Sequence, residues 1–246
     1  MTITTGIKDL DRILRGSLEP GRLIIFAGPS TSGMTTLLDT MAVANGIEAR
    51  NRTLLFDVET SRDQRMNRVV SAQTGIPLVD IQRGKIRGVD AARIAAANAT
   101  LGHSLAVSHG YTLDRLHGDV DMSRAETVLV DGMRLFSDSP CPVVLGELKA
   151  MATDRKMLVV ATSPAPRIVD RPLLLDDLQG DAEKAADAVV VIRRDESAGI
   201  SAASRTALVE LSVIKNRSGE LGTCEAIARY THARMFDLPG AGQRAA

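Results

Sequence analysis

"GPSTSGMTT", residues 28–36, has the glycines and hydroxyls of the phosphate-binding pattern G-x-x-x-x-G-K-[ST] but lacks its lysine. Gly28, Gly33 and Thr35 fit the pattern. Pro29, Ser30, Thr31 and Ser32 fill the turn, and Met34 stands where lysine belongs. The run "RLIIFA" (22–27) before it reads as a strand and Thr35–Glu48 after it as a helix, which is the context the motif requires. Backbone N–H groups of such a turn, with the helix N-terminus, attract an anion whatever the side chains are. Thr35 or Thr36 can reach a magnesium ion. Gly-Pro-Ser turns also join strands to helices in many folds, so the loop alone leaves a plain connection open.

Further apolar runs follow: "TLLFDV" (53–58), "TVLVD" (127–131), "MLVVAT" (157–162) and "DAVVVIR" (187–193). Each is nearly continuous rather than alternating, as strands buried on both faces of a parallel sheet read. Helical patterns lie between them at 61–73, with Ser61 as cap and Asp63 in the first turn, and at 143–155. Alternating strands and helices imply right-handed βαβ units. "TALVELSVI" (206–214) and "GTCEAIAR" (222–229), joined by "NRSGELG" (216–222), add an antiparallel hairpin. The segments 83–90, 163–181 and 195–204 read as irregular, and 239–246 as a disordered tail. The expectation is one domain over 1–238.

Composition narrows the function. Aromatic residues make up 2% of the 246 residues and Trp is absent, so stacking of bases on aromatic platforms has little to work with. The formal net charge of zero removes a domain-wide basic footprint. Cys141 and Cys224 lie far apart, and His103, His109, His117 and His232 lack metal-ligand spacing. No signal peptide and no run long enough to span a bilayer is present, so a cytoplasmic, non-membrane protein is expected.

Two acids strengthen the loop reading. Glu59 follows the second strand in "DVET", and Asp131 ends the third in "VLVDG". Ligands of open parallel sheets bind outside the carboxyl ends of strands, where the loop and both acids would meet. Asp131 would hold magnesium through water and Glu59 would polarise an attacking water. Each acid taken singly is also an ordinary solvated strand end, and Asp57 competes with Glu59 in the same turn.

At this point the sequence resembles the ATPase domain of DnaB-type hexameric replicative helicases, a RecA-like fold of superfamily 4. The resemblance is carried by "TGIKDLDRILRGSLEPGRLIIFAGPSTSGMTT" (5–36), "LLFDVETSRDQRMNRVVSAQTGI" (54–76), "TVLVDGMRLF" (127–136), "LGELKAMATDRKMLVVATS" (145–163), "DLQGDAEKAADAVVVIRRDE" (177–196) and "VIKNRSGELGT" (213–223). These blocks occur in family order over nearly the whole chain. The opening "TG-x-x-x-LD" is shared with RecA- and KaiC-type ATPases. The resemblance implies an α/β fold, ATP and Mg2+ as cofactors, movement on single-stranded DNA, and a hexameric ring or association with one. It assigns Gly28, Gly33, Thr35 and Thr36 to phosphate, Glu59 to catalysis and Asp131 to magnesium. It makes Lys215 and Arg217 the pair that reaches a neighbouring subunit's γ-phosphate.

The sequence departs from that family at four places. Met34 removes a cation that, about 4 Å from a phosphate at an effective dielectric of ~20, is worth roughly 4 kcal/mol. Its loss costs on the order of a thousandfold in affinity. The family's Ser-Gln sensor is Ser163-Pro164, its arginine after "DL" is Gln179, and against the resemblance the sequence is expected to begin almost at the ATPase domain, without a collar domain. Arg167 and Arg171 share their loop with Asp170, Asp176, Asp177 and Asp181, which makes no clear DNA-phosphate track. The expectation is therefore a helicase-type ATPase weakened by Met34. Its rivals are a catalytically dead partner-binding module and a RecA/KaiC-like regulatory ATPase.

Overall fold

The computed structural model describes residues 2–101, 103–166, 171–178, 182–194 and 205–239. In chain order the elements are α1 (Lys8–Ile13), β1 (Leu23–Gly28), α2 (Met34–Ala42), β2 (Thr53–Asp57), α3 (Arg62–Thr74), α4 (Leu78–Gln82), α5 (Gly88–Thr100), β3 (Leu105–His109) and α6 (Leu113–Ser123). There follow β4 (Thr127–Asp131), α7 (Cys141–Asp154), β5 (Leu158–Pro164), α8 (Ala182–Ala185), β6 (Ala188–Arg194), β7 (Thr206–Asn216), β8 (Gly222–Arg229) and β9 (Arg234–Asp237).

The strands form one sheet in the order β3-β2-β4-β5-β1-β6-β7-β8-β9. β3 through β6 are parallel, and β7, β8 and β9 extend the sheet antiparallel. Every residue of β1, β2 and β4 is buried, as their uninterrupted apolar runs require. Alternate side chains serve opposite faces. Ile24, Phe26, Leu55 and Leu129 pack with Leu37, Leu38 and Met41 of α2 and Val69 of α3. Leu23, Ile25, Leu54 and Val130 pack with Leu116 and Val120 of α6 and Leu145 and Leu148 of α7. β7 instead alternates, burying Ala207, Val209, Leu211 and Val213 on one face only.

The expected α/β architecture, mostly parallel with an antiparallel C-terminal extension, is the observed one. Several details differ. β3 and β9 lie outside the strands read from the sequence, as do α1, α4, α5 and α6 among the helices. The helix after the loop ends as α-helix at Ala42 and widens into a π-helical turn over Val43–Glu48. There the buried Asn45 amide donates to the Thr4 carbonyl (2.6 Å) and ties the N-terminal segment down. Gln179, Arg167, Asp170, Asp181, the stretch 195–204 and residues 240–246 lie outside the described residues. No helix among the described residues is long and apolar enough to cross a membrane.

Candidate functional site

Parallel register brings the expected residues to one edge. Gly28 lies beside Pro164, Asp57 beside Asp131, and Val130 beside Ala161, so the ends of β1, β2, β4 and β5 share the carboxyl edge. The loop Pro29–Gly33 leaves that edge and enters α2. Gly28 is required there, because a Cβ would sit 2.5 Å from the Ile192 carbonyl oxygen and 2.8 Å from Ser32 Oγ. Gly33 holds φ +105°, which favours glycine, and a Cβ would lie 2.9 Å from Met235 Cε.

The loop has unspent donors. Gly33 precedes α2 and provides no side-chain cap, so the first N–H groups of the helix lack intrahelical partners. Ser32 is buried and its Oγ has no hydrogen-bond partner; the same is true of Ser163 Oγ at the end of β5. Buried hydroxyls are rarely left so, and an anion at the loop would give Ser32 a partner, whereas Ser163 shares the face of Ala27, away from α2. The C-terminal elements brace the loop from behind. The Tyr230 hydroxyl donates to the Ser32 carbonyl (3.3 Å), and the Met235 N–H donates to Thr40 Oγ1 (2.8 Å). Pro29, Ser30 and Thr31 form its exposed and half-buried rim.

Met34 is not an open gap beside this loop. Its side chain is buried, at 7% exposure, within the apolar cluster under α2. Only its backbone is left for an anion.

The acids behave differently from one another. Glu59 is exposed. Asp57, its competitor in the sequence, builds the turn: its carboxylate accepts from the N–H groups of Glu59 (2.8 Å) and Thr60 (2.6 Å) and from Thr60 Oγ1 (2.7 Å). That turn then enters α3, which opens with a reciprocal capping box between Ser61 and Gln64.

Asp131 is buried, and both its oxygens are engaged. Thr162 Oγ1 donates to Oδ1 (2.6 Å) and Arg65 Nη1 donates to Oδ2 (2.5 Å). Burial alone would push the Asp131 carboxyl up, but Arg65, Thr162 and Thr35 together hold it below the usual carboxylate range.

Arg65 is not among the expected site residues, yet it is fully buried on α3 and faces three carboxylates. Besides Asp131 it meets Asp57 Oδ2 (Nη1, 3.2 Å) and Asp39 Oδ1 (Nε, 3.1 Å). Its Nη2 is buried without a hydrogen-bond partner. Burial opposes the guanidinium charge, but Asp39, Asp131 and Asp57 outweigh it and raise its pKa. Arg68, one turn further on, bonds Asp39 Oδ2 through Nε (2.8 Å) and Thr36 Oγ1 through Nη2 (3.3 Å). Burial keeps Asp39 above its ordinary value despite both arginines.

Lys215 and Arg217 do not join this edge. β6 runs parallel to β1, and Ile24, Ala188 and Asn216 lie side by side at the amino edge. Four residues separate that row from Gly28, about 13 Å at the usual rise per strand residue. There Lys215 Nζ donates to the carbonyls of Glu183 and Ala186, and Arg217 Nη2 donates to that of Lys184 (2.6 Å). Both cations cap the C-terminal end of α8, and neither reaches its own loop.

The family model described as "DnaB-like helicase C terminal domain" matches residues 2–237. The chain is 26% identical to the replicative DNA helicase DnaB of Leifsonia xyli subsp. xyli, over 96% of this chain and 56% of that protein. It is 22% identical to the DnaB of Geobacillus stearothermophilus, over 91% of this chain and 54% of that one. It thus spans about half the length of the curated relatives it matches. Among solved structures, one described as an ATPase domain superposes with a TM-score of 0.82 at 19% identity, covering 96% of this chain and 91% of that one. A DnaB-like replicative helicase whose structure was described with its interactions with primase gives 0.78 at 18% identity, covering 96% and 63%. These two likenesses show the shared fold.

Proposed function

The chain belongs to the DnaB-like helicase C-terminal domain family, and from that premise we propose that it is a nucleotide-binding motor domain. It binds ATP at Gly28–Thr36 and acts on single-stranded DNA within a ring of like subunits, in replication or recombination. The observation that carries this reading is the braced glycine loop at the carboxyl edge, with the buried, unpartnered Ser32 hydroxyl in it and the exposed Glu59 on the same edge. In this reading the loop N–H groups hold the phosphates and Glu59 orients water.

Placement is in keeping with the ring: Lys215 and Arg217 sit at the opposite edge of the sheet from their own loop, which leaves them to serve a nucleotide held by another copy of the chain. With Met34 in the core, such a cation in trans would replace part of the charge that a loop lysine supplies. A subunit by itself therefore hydrolyses ATP weakly.

A second reading is a domain that binds nucleotide or a partner without turnover. The engagement of Asp131 by Arg65 and Thr162 favours it. ATP hydrolysis with and without single-stranded DNA, in the wild type and in Glu59→Gln, separates the two. The motor reading expects DNA-stimulated turnover that falls by about 10²-fold or more in Glu59→Gln. Turnover absent from the wild type under both conditions overturns it and leaves the second.

A further inference from the structure

A magnesium ion needs near-octahedral oxygen ligands at about 2.0–2.1 Å and keeps several of its waters. The residue that would hold one here, Asp131, already accepts from Arg65 at Oδ2 and Thr162 at Oδ1. The Arg65 guanidinium cannot swing aside without also leaving Asp39 (3.1 Å) and Asp57 (3.2 Å), both buried. A magnesium ion would thus meet a guanidinium held 2.5 Å from the carboxylate that should receive it, and the residues present do not fit a magnesium site.

We propose that Arg65 is the resident cation of this edge: it occupies Asp131 in place of a divalent metal, and the loop takes a nucleoside triphosphate as a metal-free polyphosphate. The proposal rests on the reading of Gly28–Thr36 as a phosphate site. An ion pair that served stability alone would have no reason to end on the strand-end carboxylate beside that loop. Here it does so with Nη2 of the same guanidinium still unpartnered, and Ser32 Oγ in the loop is unpartnered as well.

The test is titration of the whole chain with a fluorescent ATP analogue, once with magnesium chloride and once with EDTA. The expected wild-type dissociation constants agree within about threefold. Arg65→Lys, which keeps a positive charge, should remain indifferent to the metal. Arg65→Met, where circular dichroism shows it folded, should bind about tenfold or more tightly with magnesium than without. A gain of about tenfold or more from magnesium in the wild type overturns the proposal and leaves the phosphate reading standing. Absence of binding in both buffers overturns the phosphate reading and the proposal with it.

Discussion

Replacing Arg65 by Met, similar in length but uncharged, removes the contacts to Asp131 (2.5 Å), Asp57 (3.2 Å) and Asp39 (3.1 Å) at once. Removing one partner of a buried ion pair costs about 3–5 kcal/mol, because the other charge stays buried. The carboxylates here are not left bare. Asp57 keeps the Glu59 and Thr60 N–H groups, Asp131 keeps Thr162, and Asp39 keeps Arg68. The lower end, about 3 kcal/mol, is expected. For a chain of this size that lowers Tm by roughly 6–12 °C. The sign of the pH dependence follows from the same contacts. In the wild type Asp131 is held low, so its stabilisation is present above the unfolded value of about 3.9 and lost below it. In the variant Asp131 and Asp39 lose the Arg65 cation and rise, so the folded state takes up protons as pH falls and recovers stability. The gap between the two proteins should therefore narrow between neutral pH and about pH 5. Urea unfolding followed by far-ultraviolet ellipticity measures it, since the chain has no Trp to report fluorescence. A loss below about 1 kcal/mol, equal at both pH values, would mean that water and not Arg65 solvates these carboxylates, and the cluster argument would be wrong.

Two further outcomes test the frame around the site. Gly33→Ala forces a side chain into φ +105° and to 2.9 Å from Met235 Cε, so it should cost about 1–3 kcal/mol and weaken nucleotide binding together; unchanged urea unfolding would show that the loop is not clamped by β9. Asp187, buried at the amino edge, accepts from Lys149 Nζ (2.6 Å) and the Leu23 N–H (2.8 Å). Burial pushes its carboxyl up, but these partners and Arg22 hold it below the ordinary value. Asp187→Asn should therefore cost about 1.5–3 kcal/mol at neutral pH. That cost should vanish as pH falls below about 4 through the lowered folded value; a cost that persists there would assign the loss to packing.

The parts of the fold that were legible are those where one physical demand acts alone. Strands buried on both faces must be apolar throughout, and β1, β2, β4, β5 and β6 announce themselves that way. β3, "LAVSH", has a neighbour on one side only and two half-exposed residues, so its pattern is diluted. β9 has four residues and takes its place from pairing with β8. α6 buries Leu113, Leu116 and Val120 but is otherwise polar, which reads as a loop in a single sequence.

The site divides along the same line. A phosphate loop and two strand-end acids are local patterns, and parallel register delivers them to one edge. Arg65 is not a local pattern: an arginine in "RDQRMNRVVSAQT" reads as a solvated face. The available signal was positional. Arg65 shares a stripe with Val69 and Ala72, four and seven residues on, which are buried, and Asp39 lies between Leu38 and Thr40, which are also buried. A charge on a buried stripe must find its opposite. Only the fold shows that Asp39 and Arg65 come from adjacent helices and meet Asp131 between them. A motif scan assigns a cation by its place in the loop, whereas an electrostatic field assigns it by distance. On the second criterion the loss of charge at Met34 does not leave this edge without a cation. It leaves one on α3, committed to the acids and not to the phosphates. That difference separates a loop that can bind nucleotide from a subunit that can hydrolyse it unaided.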